Sequence, residues 1–241
     1  EGLDLIATAG THFDHDEYLA GRQTGVFFGS ALTNFGLEPF LTGLVNLAPP
    51  PTARKTIDGE PIDPSSTDFS GFVFKIQANM DPRHRDHVAF LRVCSGKLVK
   101  DMLVTNQRLN APVRVARPYK IFGRDRETSA EAYAGDIVGL VNPGRFSIGD
   151  TLYTGRTVQF PLVPQFACEH FGRLRLEDQR HKQFDDGVRQ LEEEGLMQVF
   201  RMKHGRDPVV GVVGALQFDD LSTRIETSST SCTSTRQLLA D

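Results

Sequence analysis

The sequence predicts a mainly β chain with α/β flanks: a small antiparallel β barrel at the centre, a strand–loop–helix unit before it and an incomplete split βαβ unit after it. Three observations predict this. Between residues 69 and 165, short β-branched and aromatic runs are separated by Gly, Asp, Asn and Pro, the rhythm of a small barrel. Before them, an apolar run leads into residues spaced for one face of a helix. After them, the pattern reads strand, helix, strand, strand, helix.

The first unit covers residues 1–50. Asp14 and Glu17 stand at capping-box spacing, which predicts a helical turn from Asp14 to Ala20, and GVFFG at 25–29 predicts a buried strand. Leu37, Phe40, Leu41, Leu44, Val45 and Ala48 recur at steps of three and four, a helical stripe that stops at Pro49, Pro50 and Pro51. Residues 51–68 are a linker: from 49 to 67 there are five prolines and almost no apolar periodicity, so the stretch is expected to run extended over the surface.

The barrel takes residues 69–165. In FVFKIQ, alternation predicts Phe72, Phe74 and Ile76 inward and Val73, Lys75 and Gln77 outward. VAFLRVC is apolar on both faces, as for a strand covered on each side. The third unit, 166–227, opens with FGRLRL and continues with a helix carrying Phe184, Val188 and Leu191 on one face and Gly195 as its cap. Two strands and a second helix follow. The final strand of a split βαβ unit is missing, and residues 228–241 form a Ser/Thr-rich tail expected to be mobile.

Composition narrows the class. The 241 residues are 39% hydrophobic, enough for an ordinary core, and no run nears the roughly 18 apolar residues of a membrane span. No signal-peptide pattern stands at the start, so a soluble cytoplasmic protein is expected, without a membrane partner. The chain opens on Glu1 inside an apparent loop, which points to a segment of something longer. Cys94, Cys168 and Cys232 are odd in number and never in a C-x-x-C pair, arguing for reduced thiols over a disulfide framework or a zinc site. The net charge of −4 is uneven: residues 69–165 hold 14 Lys and Arg against 8 Asp and Glu, a balance of +6, which leaves −10 for the remainder. A basic module between acidic flanks suits a phosphate backbone; solvated strand faces are the competing account.

Few residues carry chemistry. His12, Asp14, His15 and Asp16, and again Asp81, His84, Asp86 and His87, could be drawn as metal sites. Neither group has H-E-x-x-H spacing or a thiol partner, and neighbouring arginines repel a cation, so no metal is expected. Nothing resembles a nucleophile elbow, and no catalytic residue is assigned. The GVVG run at 211–214 reads as close packing rather than a clamp on RNA. Ser30, Ala31 and Leu32 are placed differently, in the loop after the expected strand and before the helix, where α/β sheets bind ligands.

Taken in order, TGVFFGSALTNFGLEPFL, FSGFVFKIQANMDPRHRDHVAFLRVCSG, EAYAGDIVGL, GDTL and GALQFD resemble the release factor 3 family of bacterial translational GTPases, over about residues 1–227. QANMDPRHRD joined to AFLRVCSG is the most specific part; elongation factor G is similar in the FK strand, the R-V-x-S-G strand and YAGDI. The resemblance implies that residues 1–50 end a guanine-nucleotide domain, that 69–165 is the second-domain barrel, and that a third domain begins at 166. It implies GTP or GDP with Mg2+ in the longer protein, with Ser30, Ala31 and Leu32 as cofactor-binding residues whose backbone amides read the guanine carbonyl oxygen.

It also implies a monomer whose partner is the ribosome, its RNA and proteins, and which acts on class I release factors indirectly, recycling them after peptide release. No G-x-x-x-x-G-K-[ST] and no N-K-x-D occurs, so this chain alone is expected neither to hold nor to hydrolyse GTP. Arg83, His84 and Arg85 are the residues expected to meet ribosomal RNA phosphates; pairing of these charges with Asp81 and Asp86 is the competing account. Two other functions remain in view, a nucleotide-free RNA- or ribosome-binding module and a translocase similar to elongation factor G. Gly25 stands where the family usually has proline, and the tail after Thr227 departs from the family's third domain.

Overall fold

The computed structural model describes residues 8, 10, 12–77, 87–122, 125–142, 144–174, 181–201 and 207–228. They belong to two units, Glu1–Thr52 and Ala53–Asp241.

Two helices of the first unit are α1 (His15–Leu19) and α2 (Leu37–Leu47). Asp14 caps α1, its Oδ1 accepting from the amides of Asp16 at 2.8 Å and Glu17 at 3.0 Å. The return half of the capping box is not made. Asp14's own amide donates to Gln23, and Glu17 instead takes two N–H groups of Arg22 at 2.5 and 2.7 Å. GVFFG is not the buried strand its composition predicts: residues 24–29 pair with no strand among the described residues, and Phe28 is 84% exposed. A strand exists only as part of a ladder, so β propensity without a neighbour gives extended backbone and nothing more.

Phe27 meets Phe40 of α2 edge-on, with ring centroids 5.7 Å apart. It lies over Gly43, where an added Cβ would sit 2.3 Å from the ring. The helical stripe forms as its spacing predicts and is exposed, and no described residue of this unit is buried.

The second unit begins with a hairpin of β1 (Arg54–Lys55) and β2 (Pro61–Ile62), so the proline-rich stretch folds back on itself instead of running out. The main sheet comprises β3 (Ser70–Gln77), β4 (His87–Ser95), β6 (Met102–Asn106), β7 (Ala111–Val115), β8 (Pro118–Phe122), β9 (Asp125–Thr128), β11 (Ile137–Asn142) and β12 (Thr151–Tyr153). Its order is β7-β6-β12-β3-β4-β11-β8-β9, antiparallel throughout. A two-stranded ribbon of β5 (Lys97–Val99) and β10 (Glu131–Tyr133) completes the module. Val73, Leu91, Leu98, Val104, Leu140 and Leu152, from six different strands, share one core, which requires the sheet to curl into the small barrel.

Simple alternation fails in β3. The register against β4 shifts between Val73 and Lys75, a β-bulge. Ile76 points into the core as expected, but so does Val73, while Phe72 and Phe74 join a second cluster on the other face with Cys94, Phe160 and Ile62 of β2. β4 is covered less completely than its composition suggests, with Phe90 half-buried and Arg92 exposed.

The last part has β13 (His170–Arg173), α3 (His181–Glu193), β14 (Gln198–Phe200), β15 (Val209–Val212) and α4 (Gln217–Ser228). The sheet order is β13-β15-β14. Phe184, Val188 and Leu191 face Leu174, Met197, Val210, Val212 and Leu221, the helical face its spacing predicts. Gly195 closes α3 with φ 73, and Leu196 donates back to Leu191 at 3.2 Å. The tail expected at 228–241 lies, past Ser228, outside the described residues.

Candidate functional site

Residues 30–35 form a short loop clamped at its base. The Ser30 amide donates to the Phe35 carbonyl at 2.9 Å, and the two residues form an isolated antiparallel bridge. Asn34 takes φ 57 and Gly36 φ 73 to turn the chain into α2. At Gly36 only glycine fits, because a Cβ would come within 2.2 Å of the Phe28 carbonyl oxygen. Of the three residues read as the binding loop, Ser30 therefore has its amide engaged. The amides of Ala31 and Leu32 carry no hydrogen bond among the described residues, and the Leu32 side chain is 94% exposed. Two adjacent free donors in the loop ahead of α2 suit an acceptor oxygen.

A larger open space in this unit, about 850 Å3 beside Phe13, Gly25, Phe27 and Gly43, does not include that loop. Among the described residues, the charged side chains bordering it are Glu17 and Arg22, which neutralise each other, the Arg22 contact holding the Glu17 carboxyl below its ordinary value. Asp14, drawn above as one possible metal ligand, is occupied as the cap of α1, and His15 stacks on Tyr18.

Arg83, His84 and Arg85 lie outside the described residues; the ends of their connection are fixed by the pairing of Gln77 with Val88 in the β3–β4 ladder. His87, at the start of β4, places Nδ1 3.4 Å from Glu193 of α3. Several barrel cations are neutralised: Arg108 by Asp150, Arg114 by Asp101, Lys97 by Glu131 and Arg156 by Glu60. Exposed Arg92, Lys100, Arg117 and Arg145 have no ion pair among the described residues.

The motifs that stand out in the sequence do architectural work. In YAGDI, Asp136 accepts from the Tyr133 amide at 2.9 Å while its own amide donates to Tyr133, closing the turn. In GDTL, Asp150 is 2% exposed and accepts from Asn106, from two nitrogens of Arg108 and from the Ser147 amide. In RVCSG, Ser95 bonds Ser70 at 2.6 Å and the Asp68 carbonyl at 2.9 Å, and Gly96 has no room for a Cβ against that same carbonyl. Burial pushes the Cys94 thiol up to about 11, against the pull of Arg54 and Arg92, so it stays protonated at neutral pH.

Composition and spacing did not point to the cluster of Lys97, Glu131 and Tyr133. It borders an open cleft of about 460 Å3 beside Pro64–Thr67, and cross-strand pairing, invisible before the register is known, brings it together.

Two family models match in chain order. Elongation factor G domain 2 matches residues 68–155, and Class II release factor RF3, C-terminal domain, matches 160–238. Peptide chain release factor 3 of Gloeobacter violaceus is 50% identical over 229 residues, covering 94% of this chain and 43% of that protein. The chain belongs to the release factor 3 family. Peptide chain release factor 3 of Synechocystis is 48% identical over 227 residues, 93% of this chain and 41% of that protein. The chain thus spans less than half the length of these release factor 3 relatives. A crystal structure of a Thermus thermophilus protein superposes with a TM-score of 0.72 at 20% identity, over 95% of this chain and 34% of that one, which establishes the shared fold. Among the described residues no helix is long and apolar enough to cross a membrane.

Proposed function

We propose that this chain is part of a cytoplasmic translational GTPase that works in termination, recycling class I release factors from the ribosome after peptide release. The observation that carries this is the 50% identity to a peptide chain release factor 3 across 94% of the chain. The order of the two matched families supports termination over a translocase, since the class II release factor match lies directly after the barrel. GTP or GDP with Mg2+ belongs to the whole protein. Within this chain, the free amides of Ala31 and Leu32 fit the acceptor oxygen of a guanine base, and Ser30 shapes the loop. The phosphate-binding motifs are absent from the sequence, and one or two hydrogen bonds of about 0.5 to 1.5 kcal/mol net cannot retain a nucleotide.

The longer protein containing this sequence should speed the dissociation of a class I release factor from post-termination ribosomes only with GTP; an unchanged dissociation rate overturns the reading. This chain alone should show no saturable binding of labelled GTP, and micromolar affinity would contradict it. Arg83, His84 and Arg85 are proposed to meet ribosomal RNA phosphates. For three neutralised phosphates, log affinity against log salt should slope at roughly −2 to −3, and the Arg83→Ala, Arg85→Ala double variant should flatten it. An unchanged slope removes this loop from the interface.

A further inference from the structure

We propose that Arg54 is a positioning residue: stacked on the face of Phe72, with Phe160 to one side, it makes the strap 54–62 a fixed part of the barrel, so that the fixed backbone begins at Arg54. Its guanidinium carbon lies 3.7 Å from the ring centroid of Phe72 and 5.6 Å from that of Phe160. Among the described residues, its Nε is buried without a hydrogen-bond partner. A donor buried that way costs free energy, so something else must hold the side chain in place, and a half-buried cation over a ring face is favourable. The planar guanidinium can lie flat on the ring, which a lysine ammonium cannot do.

The strap needs this support. Its ladder has two residue pairs, Arg54 with Ile62 and Lys55 with Pro61, and an isolated hairpin of that size is marginal in water. What persists is contact with the barrel. The Ile57 amide donates to the Gln159 carbonyl at 2.9 Å, Glu60 pairs with Arg156, and Ile62 packs on the Phe72 cluster. Immediately upstream the ties stop: three prolines have no N–H to donate, and Thr52 and Ala53 carry no hydrogen bond among the described residues. The step from free to fixed backbone falls at Arg54. This goes beyond the GTPase reading and holds whether or not that activity is confirmed.

Amide hydrogen exchange on the full chain, resolved by residue, tests it. In the wild type the Ile57 amide should be protected and those of Thr52 and Ala53 should exchange freely. Arg54→Leu should raise exchange at Ile57 by roughly two- to thirty-fold, the factor expected for loss of a half-buried cation–π contact, while the Val93 amide in the barrel keeps its rate. Arg54→Lys, which keeps the charge without the plane, should fall between. Three results would each overturn the proposal: Ile57 equally protected in Arg54→Leu, Val93 accelerated in parallel with it, or Thr52 and Ala53 as protected as Ile57 in the wild type.

Discussion

Leu91 of the barrel is 0% exposed, whereas Leu44 of α2 is 52% exposed, although both come from apolar runs. The difference lies in what each surface has to pack against. In the barrel, curling brings side chains from six or more strands into one space, so each apolar residue covers another. In the amino-terminal unit a helix and an extended segment meet along one line, Phe27 against Phe40 and Gly43, and that leaves the stripe uncovered. Apolar periodicity therefore specifies an element, and burial requires a second surface that periodicity does not supply.

The sharpest way to break this comparison is to truncate one leucine in each unit. Leu91→Ala removes a fully buried side chain and should lower stability by about 2–5 kcal/mol. Leu44→Ala removes one that is already half in water and should stay within about 0.5 kcal/mol. Chemical denaturation of both variants measures the difference. Equal losses would mean that the α2 stripe is covered in solution.

The same contrast explains what the sequence revealed. Local signals came through: the stripe of α2, the Phe184–Val188–Leu191 face of α3 and the Gly195 cap depend on neighbours three to five residues away. What failed depended on distant partners. GVFFG has the composition of a strand but no ladder to join among the described residues, and the bulge after Val73 reversed the expected faces of Phe72 and Phe74 because register is set by β4. Arg54 lies in the stretch read as a linker, and no sequence signal singled it out. Its role appears only once Phe72 and Phe160, 18 and 106 residues away by their numbers, are brought together. In the candidate loop, position was legible, but the engagement of the Ser30 amide with Phe35 was not.

A smaller effect sharpens the comparison for polar groups. Asp150 is buried and accepts four hydrogen bonds, two of them from Arg108. Asp150→Asn keeps the shape but turns an amide group towards donors and removes the charge, which should cost about 1.5–3 kcal/mol. Asp14 also accepts two backbone amides, but at an exposed helix start where asparagine caps as well as aspartate, so Asp14→Asn should change stability by no more than a few tenths of a kcal/mol. Urea midpoints of the two variants, compared at one pH, decide it; a large loss at Asp14 would show that α1 is tied to more than its cap.

The smallest effect is expected where the two units are alike. Glu17 in the first unit contacts Arg22, and Glu131 in the second contacts Lys97 and then Tyr133; both carboxyls are held below their ordinary value of 4.5 by those hydrogen bonds. A carboxyl with a depressed folded-state pKa stabilises the fold above its unfolded value, and that contribution is lost as pH falls through the folded pKa. The window therefore opens near 4.5 and lies wholly below it for both residues. Both pairs are exposed to solvent, which screens them, so Glu17→Gln and Glu131→Gln should leave the thermal midpoint at neutral pH unchanged within error. Carboxyl carbon NMR should show both residues titrating below 4.5 in the wild type. If Glu131→Gln alone lowered the midpoint, the β5–β10 ribbon would depend on its cross-strand ion pair, and the barrel's advantage would extend from its core to its surface.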